Sequence, residues 1–99
     1  MERDIERACE AARSARHEGR SDEALQHYGE AASLARARQD GAALAYALRH
    51  LSDLAREHGD AATALVAGDE AVTLYRLQDG GLDLANALRL RALALEALE

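Results

Sequence analysis

Laid over itself with an offset of 40, the sequence matches at thirteen of forty positions, residues 19–58 against 59–98. The matches are Gly19/Gly59, Ala24/Ala64, Leu25/Leu65, Glu30/Glu70, Ala31/Ala71, Leu34/Leu74, Arg36/Arg76, Gly41/Gly81, Leu44/Leu84, Ala45/Ala85, Ala47/Ala87, Leu48/Leu88 and Arg49/Arg89. Abundant alanine inflates that number, but it does not produce the two glycine pairs or the arginine pairs. The same register runs backwards, since Ala15-Arg16-His17-Glu18-Gly19 resembles Ala55-Arg56-Glu57-His58-Gly59. The chain therefore reads as a single domain, residues 1–99, made of about two and a half copies of one unit.

What the unit is made of follows from two residue types. Alanine and leucine fill 24 and 16 of the 99 positions, and proline is absent. Both lose little side-chain freedom in a helix, whereas Val, Ile, Thr and Tyr together number only eight, so an all-α fold is expected and a β fold is excluded. Glycines divide the helices: Gly19 and Gly59 stand where a left-handed residue would end one, and Gly41 and Gly80-Gly81 mark longer turns. Ser21 or Asp22, Asp40, Asp60 and Asp79 precede new apolar periodicity, where a side-chain oxygen can accept from free backbone amides. Five helices are predicted, at about 2–18, 21–37, 42–58, 61–77 and 81–98. In the third, Leu44, Leu48, Leu51, Leu54 and Ala55 form one broad apolar face. Short connections make sequence neighbours antiparallel.

The stretch Gly19-Arg20-Ser21-Asp22-Glu23-Ala24-Leu25-Gln26-His27-Tyr28-Gly29-Glu30-Ala31 resembles the turn and second helix of a tetratricopeptide repeat, with Ala24, Tyr28 and Ala31 on its small, aromatic and small positions. Leu48, Leu51, Ser52 and Ala55 fit the first-helix positions of the next unit, followed by Ala64, Gly68 and Ala71. The last helix offers Leu88, Arg91, Ala92 and Leu95, and the first Ala8, Ala11, Ala12 and Ala15. The period is 40 rather than 34, no proline ends the second helix, and Gly68 takes an aromatic slot; HEAT-type repeats are the alternative fold. The resemblance implies a tetratricopeptide-like α-solenoid whose first helices line a concave surface.

On those first helices, steps of three and four residues pick out Tyr46, Arg49, Asp53 and Arg56. The 40-residue shift adds Glu6, Cys9, Arg13 and Arg16 on one side, and Asn86, Arg89, Leu93 and Glu96 on the other. Across 21–37 and 60–76 six acids oppose two arginines, while 42–58 and 81–98 are balanced. The expected function is therefore a non-enzymatic scaffold that binds a peptide or protein segment, acidic or carboxylate-bearing, in this groove. Arg13, Arg49 and Arg89 would engage carboxylates, Asn86 would orient backbone and Tyr46 would supply an amphipathic contact. The alternative is salt bridging along exposed helices.

Other classes are set aside on charge and spacing. A net charge of −6, with all twelve basic residues arginine, repels nucleic acid and anionic lipid. The longest apolar run, Ala42 to Leu48, is far too short to span a bilayer, and a cytoplasmic location is expected. Cys9 has no partner for an internal disulfide. His17 and His58 lie near helix C-termini, His27 and His50 look isolated, and no metal, cofactor or catalytic motif is present, so neither an enzyme nor a cofactor is expected. The final helix carries leucines on more than one face, so Leu88, Leu90, Leu93, Leu95 and Leu98 are candidates for self-association in a homodimer, two-fold or helix-exchanged. A chain that is half of a larger array, or a self-associating structural or small-ligand-binding helical protein, would explain the same leucines.

Overall fold

The computed structural model describes residues 2–78 and 81–99, and these form the helices α1 (Glu2–His17), α2 (Ser21–Ala37), α3 (Gly41–Glu57), α4 (Ala61–Leu77) and α5 (Gly81–Leu98). The fold is all-α, with no strand among the described residues. None of these helices is long and apolar enough to cross a membrane. Each packs along its neighbours in sequence, and α3 also touches α5. The three-residue connections make neighbours antiparallel.

The first three turns are built alike. In each, two backbone amides reach back over the end of the helix: Gly19 to the Arg16 carbonyl and Arg20 to that of Ala15, Gln39 to Arg36 and Asp40 to Ala35, Gly59 to Arg56 and Asp60 to Ala55, at 2.8–3.2 Å. This closure needs a left-handed residue, and Gly19 (φ 79°) and Gly59 (φ 89°) supply it without steric cost. Between α2 and α3, however, the left-handed residue is Gln39 (φ 55°), while Gly41, expected in a longer turn, is the first residue of α3. The turns thus recur every 20 residues, and the 40-residue repeat is two such steps.

Capping follows the same positions. Asp40 accepts from the Ala43 amide and Asp60 from the Thr63 amide, each at 3.1 Å. The residue before α2 is Arg20, whose side chain makes no capping bond; Ser21 and Asp22, expected as caps, already lie inside the helix because the turn closes at Gly19. Asp79 and Gly80, the expected cap and turn before α5, lie outside the described residues.

Small side chains fill the interior. Ala24, Ala31, Ala47, Ala64 and Ala71 are wholly buried, and Ala87 nearly so. At each, the small side chain takes little room between the helix and its neighbours. Gly68 goes further: a methyl there would sit 3.2 Å from Ser52 Oγ and 3.6 Å from Arg91 Cα, so its absence lets α4 meet both α3 and α5. Ser52 is itself buried and donates to the Ala64 carbonyl at 2.7 Å. Tyr28, the large residue between Ala24 and Ala31, is also buried. In α5 the positions expected to follow the repeat turn outward: Leu88, Ala92 and Leu95 are exposed, where Leu48, Ser52 and Ala55 are interior.

Two turn substitutions test this account. Gln39→Gly relieves a left-handed side chain at the cost of extra freedom in the unfolded chain, and should stabilise by about 0.5 kcal/mol. Gly59→Ala should destabilise by about 1 kcal/mol. Urea denaturation followed by circular dichroism measures both.

Candidate functional site

Most of the stripe predicted on the first helices borders three cavities on one side of the fold; Arg56, Leu93 and Glu96 border none of the three. The three adjoin one another across α1, α3 and α5. One is bordered by Glu6, Cys9, Glu10, Arg13 and Tyr46, the next by Arg13, Arg16, Tyr28 and His50, and the third by Arg16, Arg49, His50, Asp53, Asn86 and Arg89. Shared residues, Arg13 and then Arg16 with His50, make them continuous. The third is the smallest, about 160 Å³.

Several of the candidate residues are engaged with each other. Arg13 donates to the Tyr46 hydroxyl at 2.9 Å. Arg16, on α1, and Arg56, on α3, each donate to Asp53 at 2.7 Å, one to either carboxylate oxygen, and Arg16 also lies 3.3 Å from Glu57. Burial by itself would raise the Asp53 pKa, but the two arginine bonds outweigh it and hold the carboxylate below its usual range. Asp53 is therefore a clasp between α1 and α3, with both its oxygens occupied.

Arg49 is held differently. Its side chain is only 18% exposed, and its nearest carboxylate, on Asp83, stands 3.9 Å away, beyond hydrogen-bond reach. Nη2 lies 3.4 Å from the His50 ring, and the guanidinium carbon is 5.8 Å from the centre of the Tyr46 ring. Its Nε is buried and has no partner among the described residues. The Tyr75 hydroxyl is a further neighbour, but no carboxylate bonds this largely desolvated guanidinium directly, which favours an anion able to reach it. Asn86 and Arg89 stand on the opposite wall of the same cavity.

His50, which the sequence leaves isolated, is central. Its ring stacks on Tyr28 (5.2 Å between centroids, 11° between planes) and tilts against Tyr46 at 4.5 Å. Burial, with Arg49 and Arg16 adding repulsion, pushes its pKa down to about 4, so the ring is neutral at physiological pH. The available signal was position: His50 lies four residues after Tyr46 and one after Arg49, on the flank of α3 that faces the groove. Arg16 was on the stripe as well. Cys9 is buried in the groove floor, and burial pushes its thiol pKa up, away from reactivity. Among the described residues no group of His, Cys, Asp and Glu side chains could hold a metal ion.

The α5 leucines divide. Leu88, Leu95 and Leu98 are 36%, 40% and 50% exposed, and Leu93 is half-buried. Leu90 is not on that edge: its side chain is buried towards α3, beside the cavity of Arg49, so it belongs to this chain's own core.

Comparison of the chain with protein-family models, curated proteins and solved structures gives no match.

The neutral His50 makes a pH prediction. Its pKa is about 6.5 when unfolded and lower when folded, so as pH falls below about 6.5 the unfolded chain takes up a proton that the folded chain refuses. Stability should fall by about 1 kcal/mol between pH 7 and pH 5.5, and continue to fall towards pH 4. Denaturation curves at the two pH values measure this, and His50→Phe, which keeps a stacked ring, should remove that component.

Proposed function

We propose that this chain is a non-enzymatic interaction module of the tetratricopeptide-like solenoid kind, whose groove across α1, α3 and α5 holds an extended segment of another protein by its carboxylates. The observation that carries the reading is Arg49, a mostly buried guanidinium that lines an open cavity and has no carboxylate within hydrogen-bond distance. Arg89 and Asn86 complete that cavity. Arg49 and Arg89 receive a carboxylate, in the two-pronged geometry that guanidinium groups offer, and Asn86 bonds the peptide backbone. Tyr46 supplies an amphipathic contact. Arg13, Asp53 and Arg56 shape the groove through their bonds to neighbours rather than by meeting the ligand.

Shape and charge favour an extended segment. The cavity of about 160 Å³ has room for one carboxylate and opens into adjoining cavities of about 300 and 330 Å³ along the groove. The Arg49 cavity itself is lined by three arginines (16, 49 and 89) and one carboxylate (Asp53), a local excess of positive charge in a chain of net −6. The buried Ala24, Tyr28 and Ala31 in α2, and Ala64, Gly68 and Ala71 in α4, support the repeat kinship.

Fluorescence anisotropy with labelled peptides tests the reading. Peptides carrying acidic side chains and a free C-terminal carboxylate should bind, more weakly as salt rises, and neutral amidated counterparts should not. Losing charge-assisted bonds worth ~1.5–3 kcal/mol, the Arg49→Ala/Arg89→Ala variant should bind at least ~10-fold more weakly with its helix content unchanged. Equal binding of the neutral peptides, or an unaffected double variant, would refute the carboxylate groove.

A further inference from the structure

Tyr28 is only 1% exposed, yet it lines the middle cavity of the groove, about 300 Å³, together with Arg13, Arg16, His17 and His50. Its hydroxyl has no hydrogen-bond partner among the described residues, and it is not one of the polar atoms that packing seals off. The hydroxyl is therefore the part of Tyr28 that reaches the cavity. A ring alone would fill this place in the core between Ala24 and Ala31. The oxygen adds desolvation with no internal bond to offset it, so its partner comes from outside the chain.

The surroundings of that hydroxyl favour an anion. Burial pushes its pKa up to about 12, which keeps it a neutral O–H donor. Arg16 uses only Nη2 on Asp53 and Glu57, and Arg13 only Nη1 on the Tyr46 hydroxyl, so each guanidinium has N–H groups to spare. Among the described residues no acid lines this cavity, whereas Asp53 lines the Arg49 cavity and Glu6 and Glu10 line the one at the other end.

Size then separates the two oxyanions that a protein segment can offer. The Arg49 cavity, about 160 Å³, has room for a carboxylate, and the Tyr28 cavity, about 300 Å³, has room for a larger group. A phosphate ester is tetrahedral, nearly doubly charged at neutral pH, and carries three strong acceptor oxygens. It is best met by donors from several directions, and here a phenol lies at the floor with guanidinium groups above it.

We propose that the Tyr28 cavity is a phosphate subsite: the segment whose carboxylate sits at Arg49 carries a phosphorylated serine or threonine, and its phosphate accepts from the Tyr28 hydroxyl and from Arg16. Arg13 keeps its bond to Tyr46 and adds positive charge at the opening. Arg16 and His50 line both cavities, so one short segment reaches both. The inference rests on the carboxylate groove for the other end of its ligand.

Fluorescence anisotropy with acidic peptides carrying phosphoserine at successive positions before the C-terminal carboxylate tests it. At one position the phosphate should tighten binding at least ~10-fold over serine, and glutamate there should give little of that gain. Tyr28→Phe removes only the oxygen, so the helical circular dichroism signal and the thermal midpoint should hold while most of the gain disappears. Phosphoserine that binds no better than serine at every position refutes the subsite, as does a gain that Tyr28→Phe leaves intact; binding of the unmodified acidic peptides would in either case keep the groove. Conversely, an amidated, otherwise neutral phosphopeptide that binds as tightly as the acidic one, and loses that binding in Tyr28→Phe, would support the subsite and refute the carboxylate groove.

Discussion

Because alanine, and at one place glycine, occupies the contact positions between helices, the backbones of this protein approach one another closely, and most other features follow from that approach. Ala24, Ala31, Ala47, Ala64 and Ala71 are wholly buried while contributing little apolar area each. Cohesion then comes from many short contacts along the whole length of neighbouring helices rather than from a few large side chains. Such packing demands a fixed relative placement of the helices. The turns provide it: closure around residues 19, 39 and 59 repeats the same pair of backbone hydrogen bonds every 20 residues.

Close approach also creates the groove. With α1, α3 and α5 side by side on one surface, Arg16 of α1 reaches Asp53 of α3, and Arg49 of α3 comes within sight of Asp83 at the start of α5. The two junctions are unequal. Asp53 is gripped by two arginines at 2.7 Å, which locks α1 to α3, whereas Asp83 stands too far from Arg49 to satisfy it. The same carboxylate chemistry therefore holds the groove together tightly at one junction and only loosely, across 3.9 Å, at the next. On the opposite surface Arg36 of α2 grips both oxygens of Glu70 of α4, tying consecutive units from outside.

Much of this was legible in the sequence, and the reason is the repeat. A shift of 40 aligned Ala24 with Ala64 and Ala47 with Ala87, and residues that recur at helical spacing are those that packing constrains. The Gly19 and Gly59 turns and the Asp40 and Asp60 caps were readable because each uses the residue type its local geometry favours. Gln39 was not readable, since a left-handed glutamine violates local preference and is imposed by the packing of α2 and α3 on either side of it. His50 was missed because its neighbours in space, Tyr28 and Arg16, come from other helices. That Arg13 would be taken up by Tyr46, and Asp53 by two arginines, was equally invisible: spacing puts side chains on a face but does not say which of them will pair. Leu90 and Leu88 look alike in sequence, and two positions of helical rotation separate core from surface.

An alanine interior reverses the usual pattern of mutational sensitivity. In a core of leucine and phenylalanine most damage comes from truncation, which leaves holes. Here most of the buried apolar residues are alanines, which offer little to truncate and are vulnerable instead to growth: where two helices meet across an alanine, an added methyl or hydroxyl pushes their backbones apart. Variation tolerated by this chain should thus concentrate on its outward faces, with the interior drifting little even between residues as similar as alanine and valine.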